Sequence, residues 1–187
     1  MKKKIFIGLG ILGVLIVAFL LYASLVVAKR SPIKTTTFSN NGLEVTVVYC
    51  QPYKKGRLIF GEEKDKALQP YGKYWRLGAN AATEITFNKN VNFGGKAVNA
   101  GSYRMYAIPN ASSWQIGLNS ELGVYFAINE PKYEMDVVKV EVPVDVAPTE
   151  TEQLTIDFVS DSTATSMNIT WDRALIRVPI TIQLPVQ

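Results

Sequence analysis

Beyond residue 30 the chain alternates apolar and polar residues with a period of two, and this periodicity limits its fold more than any other feature. Val138, Val140, Val142 and Val144 alternate with Lys139, Glu141, Pro143 and Asp145. Leu154, Ile156 and Phe158 alternate with Thr155, Asp157 and Val159, and Met167, Ile169 and Trp171 follow. A further set runs through Ile176, Val178, Ile180, Ile182 and Leu184. Earlier in the chain, Leu43, Val45, Val47 and Tyr49 show the same rhythm, as do Thr83–Phe87, Ser102–Ile108 and Trp114–Asn119. Successive side chains on a strand point to opposite faces, so each segment offers one face to a core and one to solvent. Turn-forming pairs punctuate them: Asn41-Gly42, Gly94-Gly95, Pro109-Asn110, Asp161-Ser162 and Asp172-Arg173. Pro143 and Pro179 belong on solvent-side or edge positions, because proline donates nothing to a ladder. With no long segment of helical period after residue 30, the pattern predicts an all-β fold. The expected form is an antiparallel β-sandwich or open barrel of about nine or ten strands. About 145 residues are enough to bury one core.

The amino-terminal part obeys another rule. From Ile5 to Ala28 there are 24 consecutive residues without a charge, preceded by Lys2, Lys3 and Lys4 and followed by Lys29 and Arg30. As a helix, such a run spans roughly 36 Å, more than the roughly 30 Å hydrocarbon core. It reads as a single-pass transmembrane anchor. A cleaved secretory signal is the other reading, with Val26-Val27-Ala28 as its cleavage site, but the apolar run is long for that class. The positive-inside rule leans toward a cytoplasmic amino terminus, which puts the rest of the chain on the extracytoplasmic, periplasmic side. The expected organisation is an anchor or signal segment over 1–30, a polar stem over 31–41 and one β-domain over 42–187.

Removing the anchor changes the meaning of the charge. The chain carries +4 overall, but five of its 20 basic residues lie at or before residue 30 and all 16 acids lie beyond it. The remainder is close to neutral at −1, so no clustered basic excess points to nucleic acid. Histidine is absent altogether, which removes His-containing triads, imidazole acid/base chemistry and His-bearing metal sites. The single cysteine, Cys50, allows no intrachain disulfide and reads as a small buried apolar residue. Neither a metal nor an organic cofactor is expected. Two carboxylates can hydrolyse glycosides without histidine, but Glu62, Glu63 and Asp65 form a charge run in a loop. No catalytic motif is recognisable.

One block breaks the alternation. Lys55-Gly56-Arg57, Ile59-Phe60-Gly61 and Pro70–Asn80 concentrate glycine, aromatic rings and cations. Arg57 and Arg76 offer forked donors suited to carboxylate, phosphate or sulfate. Tyr71 and Trp75 offer flat apolar faces with polar tips, and Asn80 both donates and accepts. Two readings stand side by side. In one, Arg57, Tyr71, Trp75, Arg76 and Asn80 form a pocket for a small anionic or carbohydrate ligand, with Trp75 as a stacking platform. In the other, the glycines make tight turns, Trp75 plugs one end of the fold and Arg76 caps loop carbonyls.

The order and spacing of these residues resemble a bacterial family known as domain of unknown function 2911. The resemblance rests on Val45-x-Val47-x-Tyr49, Pro52, Lys55-Gly56-Arg57, Ile59-Phe60-Gly61 and Pro70–Asn80, followed by Thr83, Ala100-Gly101-x-Tyr103, Ile108-Pro109, Trp114 and Asn119. It covers about residues 32–183, and the Glu62–Gln69 spacer is longer than the family pattern. It implies a β-rich fold in a secreted or membrane-anchored setting and assigns no reaction. The combined expectation is a non-enzymatic binding or envelope-associated module, the alternative being a hydrolase acting on cell-envelope polymers. The only partners expected are the membrane, through residues 5–28, and the small ligand.

Overall fold

Asn41 and Gly42 both take left-handed backbone angles, φ 52° and 72°. Two such residues in a row match the twist of flanking strands, so this pair closes a tight hairpin. It joins strand β1 (Ile33–Asn40) to β2 (Leu43–Cys50), in register from Ile33 opposite Cys50 to Asn40 opposite Leu43. The segment read as a polar stem is therefore the first strand of the domain. Its alternation was masked because β1 is an edge strand, rich in threonine, whose one large apolar inward residue is Phe38, stacked 5.3 Å from Phe158.

The computed structural model describes residues 2–22, 31–125, 129–160 and 165–183, with helix side chains at Gly8 and Gly10–Tyr22. Ala28, Lys29 and Arg30, the Asp161-Ser162 turn and Leu184 lie outside the described residues. After helix α1 (Lys2–Tyr22) and the first hairpin come β3 (Phe60–Gly61), β4 (Gln69–Pro70), β5 (Thr83–Phe87) and β6 (Val91–Phe93). They are followed by β7 (Lys96–Val98), β8 (Gly101–Ile108), β9 (Ser113–Asn119), β10 (Asp136–Ser160) and β11 (Thr165–Ile182). All the described side chains of α1 are exposed, Val14 and Phe19 among them. Counting only described residues, no helix is long and apolar enough to cross a membrane.

Nine strands form one open, antiparallel sheet in the order β1-β2-β5-β8-β9-β10-β11-β6-β7, with β3 and β4 as a separate short parallel pair. The sheet is continuous rather than split in two because β10 is 25 residues long. Its first part, Asp136–Pro143, pairs with β9, and from Val144 onward it pairs with β11. The alternating segments at 138–144 and 154–158 are thus one strand. Asp172-Arg173 is likewise no chain reversal. It lies inside β11, opposite the register shifts around Thr151, with Asp172 at φ 57°. Such an irregularity bends a strand. Pro143 and Pro179 are both exposed, as expected of prolines in strands.

The bend folds the sheet over a single core. Val45, Val47 and Ile85 from one half share it with Leu154, Ile156, Ile169 and Val178 from the other, all at most 1% exposed. Each such side chain contributes about 1.5–3 kcal/mol by leaving water. Where β2 and β1 meet β10 the ladder does not close, and side chains stitch the seam. The Tyr49 hydroxyl accepts from Ile156 N at 2.8 Å and donates to Ile156 O at 3.3 Å. Thr36 Oγ1 donates to Ile156 O, Gln51 Nε2 to Leu154 O and Asn40 Nδ2 to Ser160 Oγ. At one end the backbone takes over, with Leu154 N on Pro52 O and Lys54 N on Glu152 O.

Candidate functional site

At that end of the seam lies a cavity of about 620 Å³. Five segments build it: Ser31 before β1, Pro52–Arg57 after β2, Leu68–Gln69 at β4, Arg76–Asn80, and Trp171 from β11. Among the described residues its lining includes Lys55, Arg57 and Arg76 but no acidic residue.

The Lys54–Arg57 loop is a tight turn with Lys55 and Gly56 at φ 51° and 67° and Arg57 N donating to Lys54 O at 3.1 Å. Two neighbouring lysines then have different fates. Lys54 Nζ sits 2.7 Å from both Glu150 and Asp172, which ties the turn to the β10–β11 irregularity. These hydrogen bonds, Asp172 first, raise the Lys54 pKa, and the Lys54 ammonium lowers that of Glu150. Lys55 instead gives its backbone N–H to Glu152 and leaves its exposed ammonium 5.9 Å from the Tyr53 ring centroid. Arg57 donates from Nε to Lys54 O at 2.9 Å and from Nη2 to Tyr53 O, so neutral carbonyls orient its guanidinium.

Across the cavity, the 75–80 loop holds two non-glycine residues in left-handed conformation, Leu77 (φ 56°) and Asn80 (φ 59°). Leu77 is fully buried, and that conformation costs an L-residue roughly 1–2 kcal/mol. Thr83 holds it there by donating from Oγ1 to Leu77 O at 2.8 Å. Gly78 is required by proximity: a Cβ would stand 3.0 Å from Cys50 O. Arg76, half-buried, donates from Nη1 to Asn80 O at 3.4 Å.

Of the five residues expected to form a ligand site, Arg57, Arg76 and Asn80 come together in the lining, and Trp75 and Tyr71 do not. Trp75 is 2% exposed, so it presents no stacking face to solvent. Its backbone exchanges two hydrogen bonds with Ala107, its Nε1 donates to Gly78 O, and its ring packs on Trp171, Trp114 and Phe60. Trp171, on which Trp75 stacks with centroids 5.8 Å apart, borders the cavity but is itself only 1% exposed, so it too is a core residue and offers no open stacking face. Tyr71 is half-buried elsewhere, its N–H on Gly61 O.

A second polar cluster lies outside this cavity and is invisible to motif reading. Arg104, 1% exposed on β8, donates from Nη1 to Glu121 at 2.6 Å, and from Nη2 to the Tyr74 hydroxyl at 2.6 Å and to Asn129 O at 3.1 Å. Its Nε is buried with no hydrogen-bond partner among the described residues. Beside it the Tyr106 hydroxyl donates to Asp136 Oδ2 at 2.6 Å, and Asn119 Nδ2 donates to Asp136 Oδ1 at 2.8 Å. Burial raises the phenol pKa of Tyr74, Tyr106 and Tyr133, and for Tyr106 the Asp136 carboxylate adds to it. Tyr106 lies over Gly117, its cross-strand partner, where any Cβ would overlap the ring. A large residue opposite a glycine is the one sequence signal that could have revealed the cluster. Among the described residues no group of His, Cys, Asp and Glu is arranged to hold a metal ion.

Fold and cavity together define an open antiparallel β-domain with a cationic cavity at one end of its seam. The chain belongs to a family described as a protein of unknown function (DUF2911), whose profile matches residues 31–180. No curated protein and no solved structure matches it.

Proposed function

We propose that the chain is a membrane-anchored binding module that holds a small anionic or sugar-like molecule in the Arg57–Arg76–Asn80 cavity and catalyses no reaction. The observation that carries this reading is the lining, which combines Lys55, Arg57 and Arg76 with the polar side chains of Ser31, Gln69 and Asn80 and, among the described residues, contains no carboxylate, imidazole or thiol side chain. Cations with few competing acids favour an anion, side chains that both donate and accept suit the hydroxyls of a sugar-like group, and the volume falls in the range of small-molecule sites. The rival, a hydrolase acting on cell-envelope polymers, needs a carboxylate facing the ligand. The acids on the flanking strands serve other ends: Glu152 accepts from Lys55 N, and Glu150 and Asp172 hold Lys54.

The anchor is proposed on the 24-residue uncharged run, of which α1 forms the larger part, and on the exposure of Ile11, Val14, Leu15 and Phe19 around that helix. A helix apolar all round needs an apolar environment. The domain is placed on the extracytoplasmic side, or secreted if cleavage follows Ala28.

Calorimetric titration of the full chain in neutral detergent with glucuronate, glucose 6-phosphate and glucose tests the binding reading. Saturable binding of an anionic sugar, lost in Arg76→Gln with an unchanged melting temperature, is expected. Failure of all three to bind, or equal binding by the variant, rejects the cavity as the site. Resistance of the protein to alkaline extraction from membranes checks the anchor.

A further inference from the structure

The chain enters the domain through the wall of the cavity. Ser31 is a lining residue, and the carbonyl of its neighbour Pro32 accepts from Gln51 N at 2.8 Å, directly before the lining residue Pro52. Helix α1 ends at Tyr22, so eight residues separate it from Ser31. Even fully extended, that connection reaches only about 30 Å. A helix seated in a bilayer would therefore hold the cavity within that distance of the lipid headgroups. Lys29 and Arg30 lie in the connection, and basic residues beside a membrane segment are attracted to an anionic lipid surface.

We propose that the cavity takes the phosphodiester headgroup of an anionic lipid from the membrane that holds α1, an assignment that rests on the binding reading above. The chemistry of the lining suits such a group. Arg57 and Arg76 present planar donor forks that match the oxygens of a phosphate, and Lys55 adds a point charge. Asn80 and the Ser31 hydroxyl offer donors and acceptors to glycerol hydroxyls. A tethered domain meets such headgroups at far higher effective concentration than a free solute, so a weak site suffices for occupancy.

The test uses the full chain in neutral detergent and three water-soluble probes, titrated calorimetrically: glycerophosphoglycerol (the deacylated headgroup), inorganic phosphate and glucuronate. Glycerophosphoglycerol is expected to bind about tenfold more tightly than inorganic phosphate, a difference of about 1.4 kcal/mol. Arg57→Gln and Arg76→Gln should each weaken it by about tenfold at unchanged melting temperature, while Lys139→Gln, remote from the cavity, leaves it unaltered. Equal affinity for inorganic phosphate, lost in the same variants, assigns the site to free phosphate and overturns the lipid assignment. Arginine-dependent binding of glucuronate alone also overturns it, yet leaves the binding reading standing. Binding of none of the three overturns the headgroup, and a cavity that also refuses the neutral and phosphorylated sugars loses the binding reading as well.

Discussion

Arg76 and Arg104 stand close to one another in the architecture and serve opposite ends. The loop between β4 and β5 sends three consecutive side chains in three directions: Tyr74 to the Arg104 cluster, Trp75 into the aromatic core, and Arg76 to the cavity. Arg104 is sealed in with Glu121 as its counter-ion and a phenol and a carbonyl as further acceptors. Removing one member of such a set leaves the others buried and unmatched, so the cluster holds the loop and strands together. Arg76 is half-buried, orients on the carbonyl of Asn80 and lines a space that contains other cations but no acid. A positive charge kept at a cavity wall together with two more suits a negative visitor. The contrast separates an arginine sealed inside the fold from one that lines a cavity.

The largest effect should come from Arg104→Met. It removes the counter-ion of Glu121, and because Glu121 keeps some solvent contact the loss should fall at the lower end for a broken buried pair, about 3 kcal/mol in urea unfolding. Gly117→Ala comes next. Its methyl group displaces the Tyr106 ring from its seat, with an expected cost of about 1–3 kcal/mol by the same measurement. A cost as small as that of an ordinary surface change would show that Tyr106 can rearrange freely and that the cluster is loose. Arg76→Gln should cost clearly less than Arg104→Met, since Arg76 is half-buried and its bond to the Asn80 carbonyl is long at 3.4 Å. A loss as large as that of Arg104→Met would erase the distinction between the two arginines.

The smallest effect at neutral pH, and a growing one in alkali, concerns the phenols. Tyr74, Tyr106 and Tyr133 have raised pKa values in the folded protein, with burial the first cause in each case. An unfolded phenol titrates near 10, so their stabilisation is full below about pH 10 and is lost as pH rises toward the folded values. Unfolding free energy should therefore fall between about pH 10 and pH 11.5. Tyr106→Phe should flatten that slope, whereas Arg76→Gln should leave it unaltered. An identical slope in both would detach the alkaline sensitivity from the Arg104 cluster.

The inward faces of β2, β5, β9 and β11 were legible in the sequence because one-sided burial imposes a period of two on residues such as Val45, Ile85, Ile116 and Ile169. Strand β1 was not, because an edge strand with three threonines among its eight residues needs little apolar alternation. The continuity of β10 and β11 was hidden as well, since a bulge near Thr151 and Asp172 resembles a turn when read locally. In the cavity the cations could be anticipated, since arginine among glycines in a non-periodic block marks a loop with charge to place. Trp75 and Trp171 could not be told apart, because which indole faces a cavity depends on packing between segments about a hundred residues apart. Arg104 escaped for a related reason. An outward strand position reads as solvated unless residues from elsewhere cover it, and Tyr74, Glu121 and Asn129, which hold Arg104, belong to no periodic segment.

The stitched seam also bears on how such a domain behaves in a crowded compartment. An open sheet ordinarily offers its bare margins to any other extended chain, and that is how β-rich proteins aggregate. Here the Tyr49 hydroxyl already occupies both the amide and the carbonyl of Ile156, and Thr36 shares that carbonyl. The opposite margin, β7, is only three residues long and begins with a lysine. The phenol, with Thr36, Asn40, Gln51 and the Pro52–Lys54 backbone, thus does for this margin part of what closure does for a barrel: it denies a second chain the template on which to grow.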